Sequence, residues 1–323
     1  MQLYLLINQE CNLKCRFCIR GEKRIKGIDI NNLKKVISEN DFSRYTLMIT
    51  GGEPSMCGDL NNIIDLCNGN FQKICINTNG VEGGWIDSIE HTDIHVQISI
   101  DGTAEVHNEI RGNGRDIFSR IVENVRKLNS RGISYNISTT VDKFNYKNIF
   151  DMVKQMSEFE NMKYWKISQA LPFGCASVDD IVSIEEWNML VDYIVENATV
   201  RVKTKKLFPF ELLDAYINNG GQASSITKNC GDVKSKVYVY PDFTVYPCTC
   251  LTDFPLGNLL ENRLEDIINS DAAKIFSEYS VSEDSSCVNC KYLKYCNGGC
   301  IGMSYNYYGA LGKGDYRCPL NKK

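Results

Sequence analysis

Three cysteines near the N-terminus, Cys11, Cys15 and Cys18 in CNLKCRFC, carry the most specific chemistry of the chain. Cysteine thiolates hold iron–sulfur clusters, and the CxxxCxxC spacing offers three of them to a four-iron cluster, leaving one iron free to bind a small molecule. Structural zinc is the alternative, but zinc is better suited by CxxC pairs or Cys/His sets, and His91, His95 and His107 all lie away from the motif. A second array closes the chain. Cys287, Cys290, Cys296 and Cys300 read CxxCxxxxxCxxxC, Cys318 follows, and Cys230 and Cys248 precede it, the latter ending KVYVYPDFTVYPC. A disulfide framework is disfavoured by an odd count of 15 cysteines in 323 residues, a length that can bury a large core.

These thiols need a scaffold, and the length predicts one large or two ordinary domains. A composition of 43% hydrophobic and 24% charged residues describes a soluble globular protein. With 36 basic against 40 acidic side chains the formal charge is −4, which excludes a broad attraction to nucleic acid or anionic lipid. MQLYLLINQE has no basic segment, no run of apolar residues is long enough to span a bilayer, and a cytoplasmic protein is expected. In a reducing compartment so many cysteines point to metal or catalysis.

Short β-rich runs at Leu3–Ile7, Thr46–Ile49, Lys73–Asn77, Ile94–Ile100, Ser134–Val141 and Lys163–Gln169 alternate with helical periodicity, as at Ile117–Leu128 and Tyr146–Phe159. Six βα units predict the α/β class: a parallel sheet with helices outside and ligands at the C-terminal strand ends. Being too few for a closed eight-stranded barrel, they predict an open, partial (β/α)6 TIM-like barrel. The alternation stops after about Asn197, and a Lys-rich apolar segment, Val200–Ile217, leads to a Gly-rich break at Asn219–Gly221. The expected domains are therefore a barrel over 1–200, a linker over 201–227 and a small Cys-rich α+β domain over 228–323.

Polar motifs fall at the expected strand ends. Thr50-Gly51-Gly52-Glu53-Pro54 closes the second strand; its glycines allow close backbone approach to a ligand, and Glu53 could accept from an ammonium group. Asn77-Thr78-Asn79-Gly80 and Ser99-Ile100-Asp101-Gly102 present side chains that could bond ribose hydroxyls or simply make strand-to-turn contacts.

CxxxCxxC followed by GGEP resembles the signature of the radical S-adenosylmethionine (SAM) enzymes. The resemblance implies that SAM chelates the free iron of a [4Fe–4S] cluster on Cys11, Cys15 and Cys18, and that an injected electron splits its sulfonium to give a hydrogen-abstracting 5′-deoxyadenosyl radical. It implies cofactor contacts from Gly51, Gly52, Glu53 and Pro54 to the SAM amino group, and from Asn77, Ser99 and Asp101 on the ribose side. His107…Arg111-Gly112 is similar to the HxxxRG segment of these enzymes, with Arg111 pairing the SAM carboxylate through its planar fork. Phe17 stands where an aromatic residue lies near adenine, or is packing.

The C-terminal cysteines resemble the SPASM extension, which carries two auxiliary iron–sulfur clusters, here expected as [4Fe–4S]. By position Cys287, Cys290, Cys296 and Cys318 would hold one cluster, and Cys230, Cys248 and Cys300 would help hold the other, whose fourth ligand is either Cys250 or an open iron. Phe243 replaces a usual Gly, so the hairpin at Pro241–Asp242 is expected to turn differently. Among the unassigned thiols, Cys67 and Cys75 read as core, Cys57 has no clear role, and Cys175 falls just past the sixth strand. There it could return a hydrogen atom to a substrate radical or be a loop cysteine without a role.

SPASM enzymes mostly modify ribosomally made peptides, so the main expectation is a peptide maturase forming a thioether or carbon–carbon cross-link or an epimerised residue. Its partners would be a precursor peptide and a flavodoxin- or ferredoxin-type electron donor. Cys11 comes so early that an N-terminal peptide-binding winged domain is not expected, and a separate recognition protein could replace it. A sulfatase-maturase type, oxidising a Ser or Cys, is the runner-up; there an acidic residue usually follows the hairpin cysteine, whereas Thr249 follows Cys248. A sugar-alcohol dehydrogenase would need only one auxiliary cluster, and a non-catalytic electron carrier would leave GGEP, Asp101 and Arg111 without purpose.

Overall fold

The structure is a computed structural model that describes residues 1–21, 27–220 and 229–321. They form two compact units, one of Gln2–Lys205 with Tyr240–Asp242, the other of Lys206–Val239 and Phe243–Lys323 with Met1. The expected boundary at 227/228 lies outside the described residues.

In the first unit, strands β1 (Gln2–Leu6), β2 (Thr46–Thr50), β3 (Lys73–Thr78), β4 (His95–Ser99), β5 (Ser134–Val141) and β6 (Trp165–Gln169) pair in parallel in chain order. Between them run α1 (Ile30–Glu39), α2 (Leu60–Cys67), α3 (Gly84–Ser88), α4 (Ala104–Gly112), α5 (Phe118–Ser130) and α6 (Tyr146–Gln155), and α7 (Ile184–Asn197) follows β6. Local chemistry starts these helices. The Asp29 side chain accepts from the Asn32 N–H at 2.8 Å to cap α1, and Ser183 with Glu186 forms a capping box on α7. Ile121, Val125 and Leu128 form a buried stripe on α5 at helical spacing.

All-parallel strands covered on both faces read as continuous apolar runs; these alternate instead. Leu47, Ile49, Ile76, Val96, Ile98, Tyr135, Ile137 and Ile167 are buried, while Asn77, Gln97, Ser99, Ser138 and Thr140, on the other face, are half-buried. One face packs and the other is a polar lumen.

The βα alternation goes further than expected. Val202–Lys203, β7, pairs in parallel with Trp165 and Lys166 of β6, two residues being too few to show a period. The C-terminal end of α6 tightens into a 3-10 turn at Met156–Glu158, short of the predicted Phe159.

The second unit opens with α8 (Phe210–Asn218), inside the segment read as a linker; Gly221 of the Gly-rich break lies outside the described residues. Strands β8 (Lys236–Val239), β9 (Thr244–Tyr246) and β10 (Gly257–Asn258) form an antiparallel meander with Tyr238 opposite Tyr246 and Gly257 opposite Val245. Short helices α9 (Leu264–Ile268), α10 (Asp271–Ser277), α11 (Leu293–Cys296) and α12 (Ile301–Tyr308) follow. Phe254 packs edge-on to Phe276 at 5.5 Å and to Tyr305 at 4.8 Å. The hairpin does not avoid the conformation for which glycine is suited. Phe243 itself takes φ 66° and is 1% exposed, so a bulky residue bears a left-handed backbone and its ring fills core.

Candidate active site

The three leading thiols lie on a loop between β1 and α1, where the C-terminal strand ends open. The Cys18 N–H donates to the Cys15 carbonyl at 3.1 Å and the Leu13 N–H to the Cys11 sulfur at 3.4 Å. Burial pushes the Cys15 thiol up to about 11 against the pull of Arg111, and it also raises Cys11.

The two glycines after β2 are required by the chain's own packing. A Cβ on Gly51 would lie 2.3 Å from Asn8 Oδ1, and one on Gly52 would lie 2.2 Å from the Glu10 carbonyl. The Glu53 N–H donates to that same carbonyl at 2.7 Å, so the turn is locked to the stretch leading into the cysteine loop.

Glu53 is 1% exposed, and its carboxylate is occupied from within. Oε1 accepts from Thr78 Oγ1 at 2.6 Å and from the Ser55 N–H and Oγ at 3.0 and 2.8 Å, while Oε2 accepts from the Asn79 N–H at 2.6 Å. Burial raises its pKa while these bonds oppose the rise. The carboxylate thus ties the end of β2 to the end of β3, with one lone pair left on Oε2. Pro54 opens the 3-10 turn Pro54–Met56 and is buried.

Asp101 differs most from expectation. It is wholly buried and does not line the cavity: Oδ1 accepts from the Thr140 N–H at 2.7 Å and Oδ2 from Arg111 Nε. Both carboxylate oxygens are engaged within the chain rather than turned to the cavity where a ribose was expected. Arg111, thus held, directs Nη1 at the Cys15 sulfur, 3.6 Å away, with its guanidinium 5.4 Å from the Phe17 ring centre. Burial works against its charge, but Asp101 and Cys15 hold its pKa above the ordinary value. Phe17 is 7% exposed and packs with Ile110, Ala170, Ala176 and Ile181, so most of its ring serves the core.

Gly51, Gly52, Glu53, Asn77, Ser99, Arg111, Phe17, Cys175 and the three thiols all line one cavity of about 1050 Å³. Thr50, Asn77, Ser99, Thr140 and Ser168 line it from successive strand ends. Thr140 and Ser168 escaped the sequence reading because no motif marks them; their lumen-facing register, Thr140 opposite Ser168, was the available signal. Asn79, which donates to Asn12 Oδ1 at 2.8 Å, and Arg20, whose Nε donates to the Gly51 carbonyl at 2.8 Å, also join this wall.

The donor set fits an iron–sulfur cluster with SAM. Three thiols lining one cavity suit a polynuclear iron–sulfur group. Among the described residues Asn77 Oδ1, buried on that cavity's wall, has no partner and is an acceptor open to a donor.

In the second unit Cys287, Cys290, Cys296 and Cys318 line one small cavity with Phe208, Phe210 and Leu293. A Cβ on Gly314 would meet the Cys287 sulfur at 2.5 Å. Cys230, Cys248, Cys250 and Cys300 form another electrostatically linked group. The Cys250 thiol donates to Cys248, lowering the pKa of Cys248 and raising its own. Asp315, 1% exposed, is gripped by Arg317 through two bonds of 3.0 and 2.8 Å and accepts from the Cys300 N–H at 3.3 Å.

Comparison with known proteins agrees with this geometry. The radical SAM superfamily model matches residues 5–156, and that of SPASM, an iron–sulfur cluster-binding domain, matches residues 230–291. The chain is a radical SAM enzyme with a SPASM domain. SAM and a [4Fe–4S] cluster are the cofactors of that class, and the SPASM domain binds auxiliary iron–sulfur clusters. The chain is 24% identical over 327 residues to a cysteine-type anaerobic sulfatase-maturating enzyme of Clostridium novyi, covering 91% of this chain and 85% of the relative. It is 25% identical over 320 residues to the antilisterial bacteriocin subtilosin biosynthesis protein AlbA of Bacillus subtilis, covering 94% and 68%. The fold is similar to Streptococcus suis SuiB bound to its precursor peptide SuiA, with a TM-score of 0.81 at 17% identity over 100% of this chain and 76% of that one. Among the described residues no helix is long and apolar enough to cross a membrane.

Proposed function

We propose that this enzyme is a peptide maturase that abstracts hydrogen from a residue of a ribosomally made precursor, giving a cross-linked or epimerised product. The observation that carries this reading is the cavity of about 1050 Å³ that holds the three thiols and Cys175 on one wall. It stands at the upper end of small-molecule sites, which run to about 1,000 Å³, and so has room for a peptide side chain beside the cofactor. AlbA, a bacteriocin biosynthesis protein, and peptide-bound SuiB support the substrate class.

Cys11, Cys15 and Cys18 would hold the cluster, and SAM bound at its open iron supplies the hydrogen-abstracting chemistry. Arg111, aimed by Asp101, would engage the SAM carboxylate. Asn77 and Ser99 would orient the nucleoside, and Glu53 keeps the β2 and β3 ends in register beneath it. Cys175, which lines the same cavity, would give its thiol hydrogen to a substrate carbon radical. The sulfur radical left behind then takes one electron and one proton, the electron coming from a flavodoxin- or ferredoxin-type donor. In the second unit Cys287, Cys290, Cys296 and Cys318 would hold one auxiliary cluster, and Cys230, Cys248, Cys250 and Cys300 the other, closed by Cys250. A separate protein could present the peptide.

The test is anaerobic reconstitution with SAM, dithionite and the peptides of any short open reading frames found beside this gene. Release of 5′-deoxyadenosine with a modified peptide supports the reading; cofactor turnover with every peptide left unchanged refutes it. A second reading, oxidation of a Ser or Cys in a protein, is favoured by the sulfatase-maturating relative. Its product is an aldehyde, from Ser two hydrogens lighter and from Cys formed when the two-hydrogen-lighter thioaldehyde takes up water and releases hydrogen sulfide; hydrazide trapping separates either aldehyde from a cross-link or an epimer.

A further inference from the structure

The opposite end of the same strands carries a second cavity, of about 430 Å³, with Lys73, Lys163, Arg201 and Lys203 in its lining and, among the described residues, no carboxylate. Among the described residues none of these four cations takes part in a salt bridge. Lys203 instead sets its ammonium 3.5 Å from the centre of the Tyr164 ring. Burial lowers the pKa of Lys203, and repulsion from Arg201 and Lys73 adds to the fall. Four like charges around one opening form a focused positive field that attracts anions.

The rest of the lining narrows the ligand. His95 is 5% exposed, and its ring nitrogens meet Ser134 Oγ at 2.8 Å and Asn136 Oδ1 at 2.7 Å. The Asn136 oxygen can only accept, so Nε2 carries a proton, and burial lowers the pKa of the ring, which favours its neutral form. The charge of the cavity therefore comes from three ammonium groups and one guanidinium. The Tyr164 ring is engaged by Lys203 and, at 5.9 Å, by His95, so the mouth offers charge rather than a platform for a nucleobase. A guanidinium fork and flexible ammonium groups suit tetrahedral oxyanions.

We propose that the N-terminal mouth of the barrel binds a small phosphate-bearing polyanion through Lys73, Lys163, Arg201 and Lys203. The site is separate from the SAM cavity. Lys73 and Asn77 lie four residues apart on β3, about 13 Å along an extended strand.

Isothermal titration of pyrophosphate into the full-length, anaerobically reconstituted protein tests this, with citrate as a carboxylate polyanion for comparison. Saturable one-to-one binding of pyrophosphate is expected. It should weaken on the order of tenfold in each of Arg201→Gln and Lys73→Gln, with SAM affinity unchanged. Lys203→Gln serves where either variant folds poorly. Citrate should bind at least about tenfold more weakly than pyrophosphate. Absence of saturable binding, binding indifferent to the substitutions, or equal binding of citrate would each overturn the proposal.

Discussion

The backbone N–H of Cys175 donates to the carbonyl of Cys18 at 2.9 Å. The loop after β6 is thereby tied to the loop that carries the three leading thiols. Gly174 makes this possible: it takes φ 68°, and a Cβ there would lie 2.2 Å from the same carbonyl. Gly174→Ala is expected to push the two loops apart and to abolish product formation. Cys175→Ala should leave 5′-deoxyadenosine release intact while ending solvent deuterium incorporation into the peptide. Mass spectrometry of reactions run in D2O reads both, and undiminished incorporation in the Ala variant would remove Cys175 from the reaction.

Asp101 and Arg111 form a buried pair, the two side chains being 0% and 12% exposed. Removing one partner leaves a buried charge alone, which costs about 3–5 kcal/mol. Asp101→Asn is expected to lower stability by that order in chemical denaturation. Arg111→Lys keeps the charge but loses the fork, so it should weaken SAM binding with a smaller loss of stability. Equal SAM affinity in both variants and the parent would sever Arg111 from the cofactor.

His107 sets an acid limit. Its Nδ1 accepts from the Asp101 N–H at 3.0 Å, and burial, helped by Arg111, pushes its pKa down to about 3 from 6.5. The folded chain holds this ring neutral, whereas the unfolded chain protonates it below its ordinary value. The stability it contributes is therefore fully present above about pH 6.5 and is lost as the pH falls toward 3, by about 1.4 kcal/mol per pH unit. His107→Gln should flatten the stability profile across this window. An identical acid slope in the variant would contradict the assignment.

Phe243 combines a left-handed backbone, costing about 1–2 kcal/mol, with a buried ring whose loss costs about 3–5 kcal/mol. Phe243→Gly and Phe243→Ala should both destabilise the second unit. The Gly variant should be no less stable than the Ala variant, against the usual order. Denaturation followed by circular dichroism gives the ranking, and a clearly more stable Ala variant would show that the turn had relaxed.

The six longer strands were legible as short apolar or β-branched runs separated by helical periodicity, and the cysteine spacings announced both groups of thiols. Val202–Lys203 was not legible, since two residues carry no period. Nor was the fate of Asp101 and Glu53. A carboxylate at a strand end reads the same whether it faces a ligand or a backbone N–H, and only the tertiary positions of Thr140, Asn79 and Ser55 decide between them. The glycines of GGEP line the cavity, but that Asn8 and Glu10 pack against them from within the chain was not legible.

The division of labour between the two faces of the parallel sheet bears on how this catalyst can diversify. Thr50, Asn77, Ser99, Thr140 and Ser168 look inward, whereas the contacts that hold the strands to their helices come from neighbours one residue away. Exchanging Thr50, Thr140 or Ser168, to which no cofactor contact is assigned, would redraw the reaction chamber while the fold's anchoring residues stay untouched. New specificities are therefore reachable by single replacements at little cost to folding.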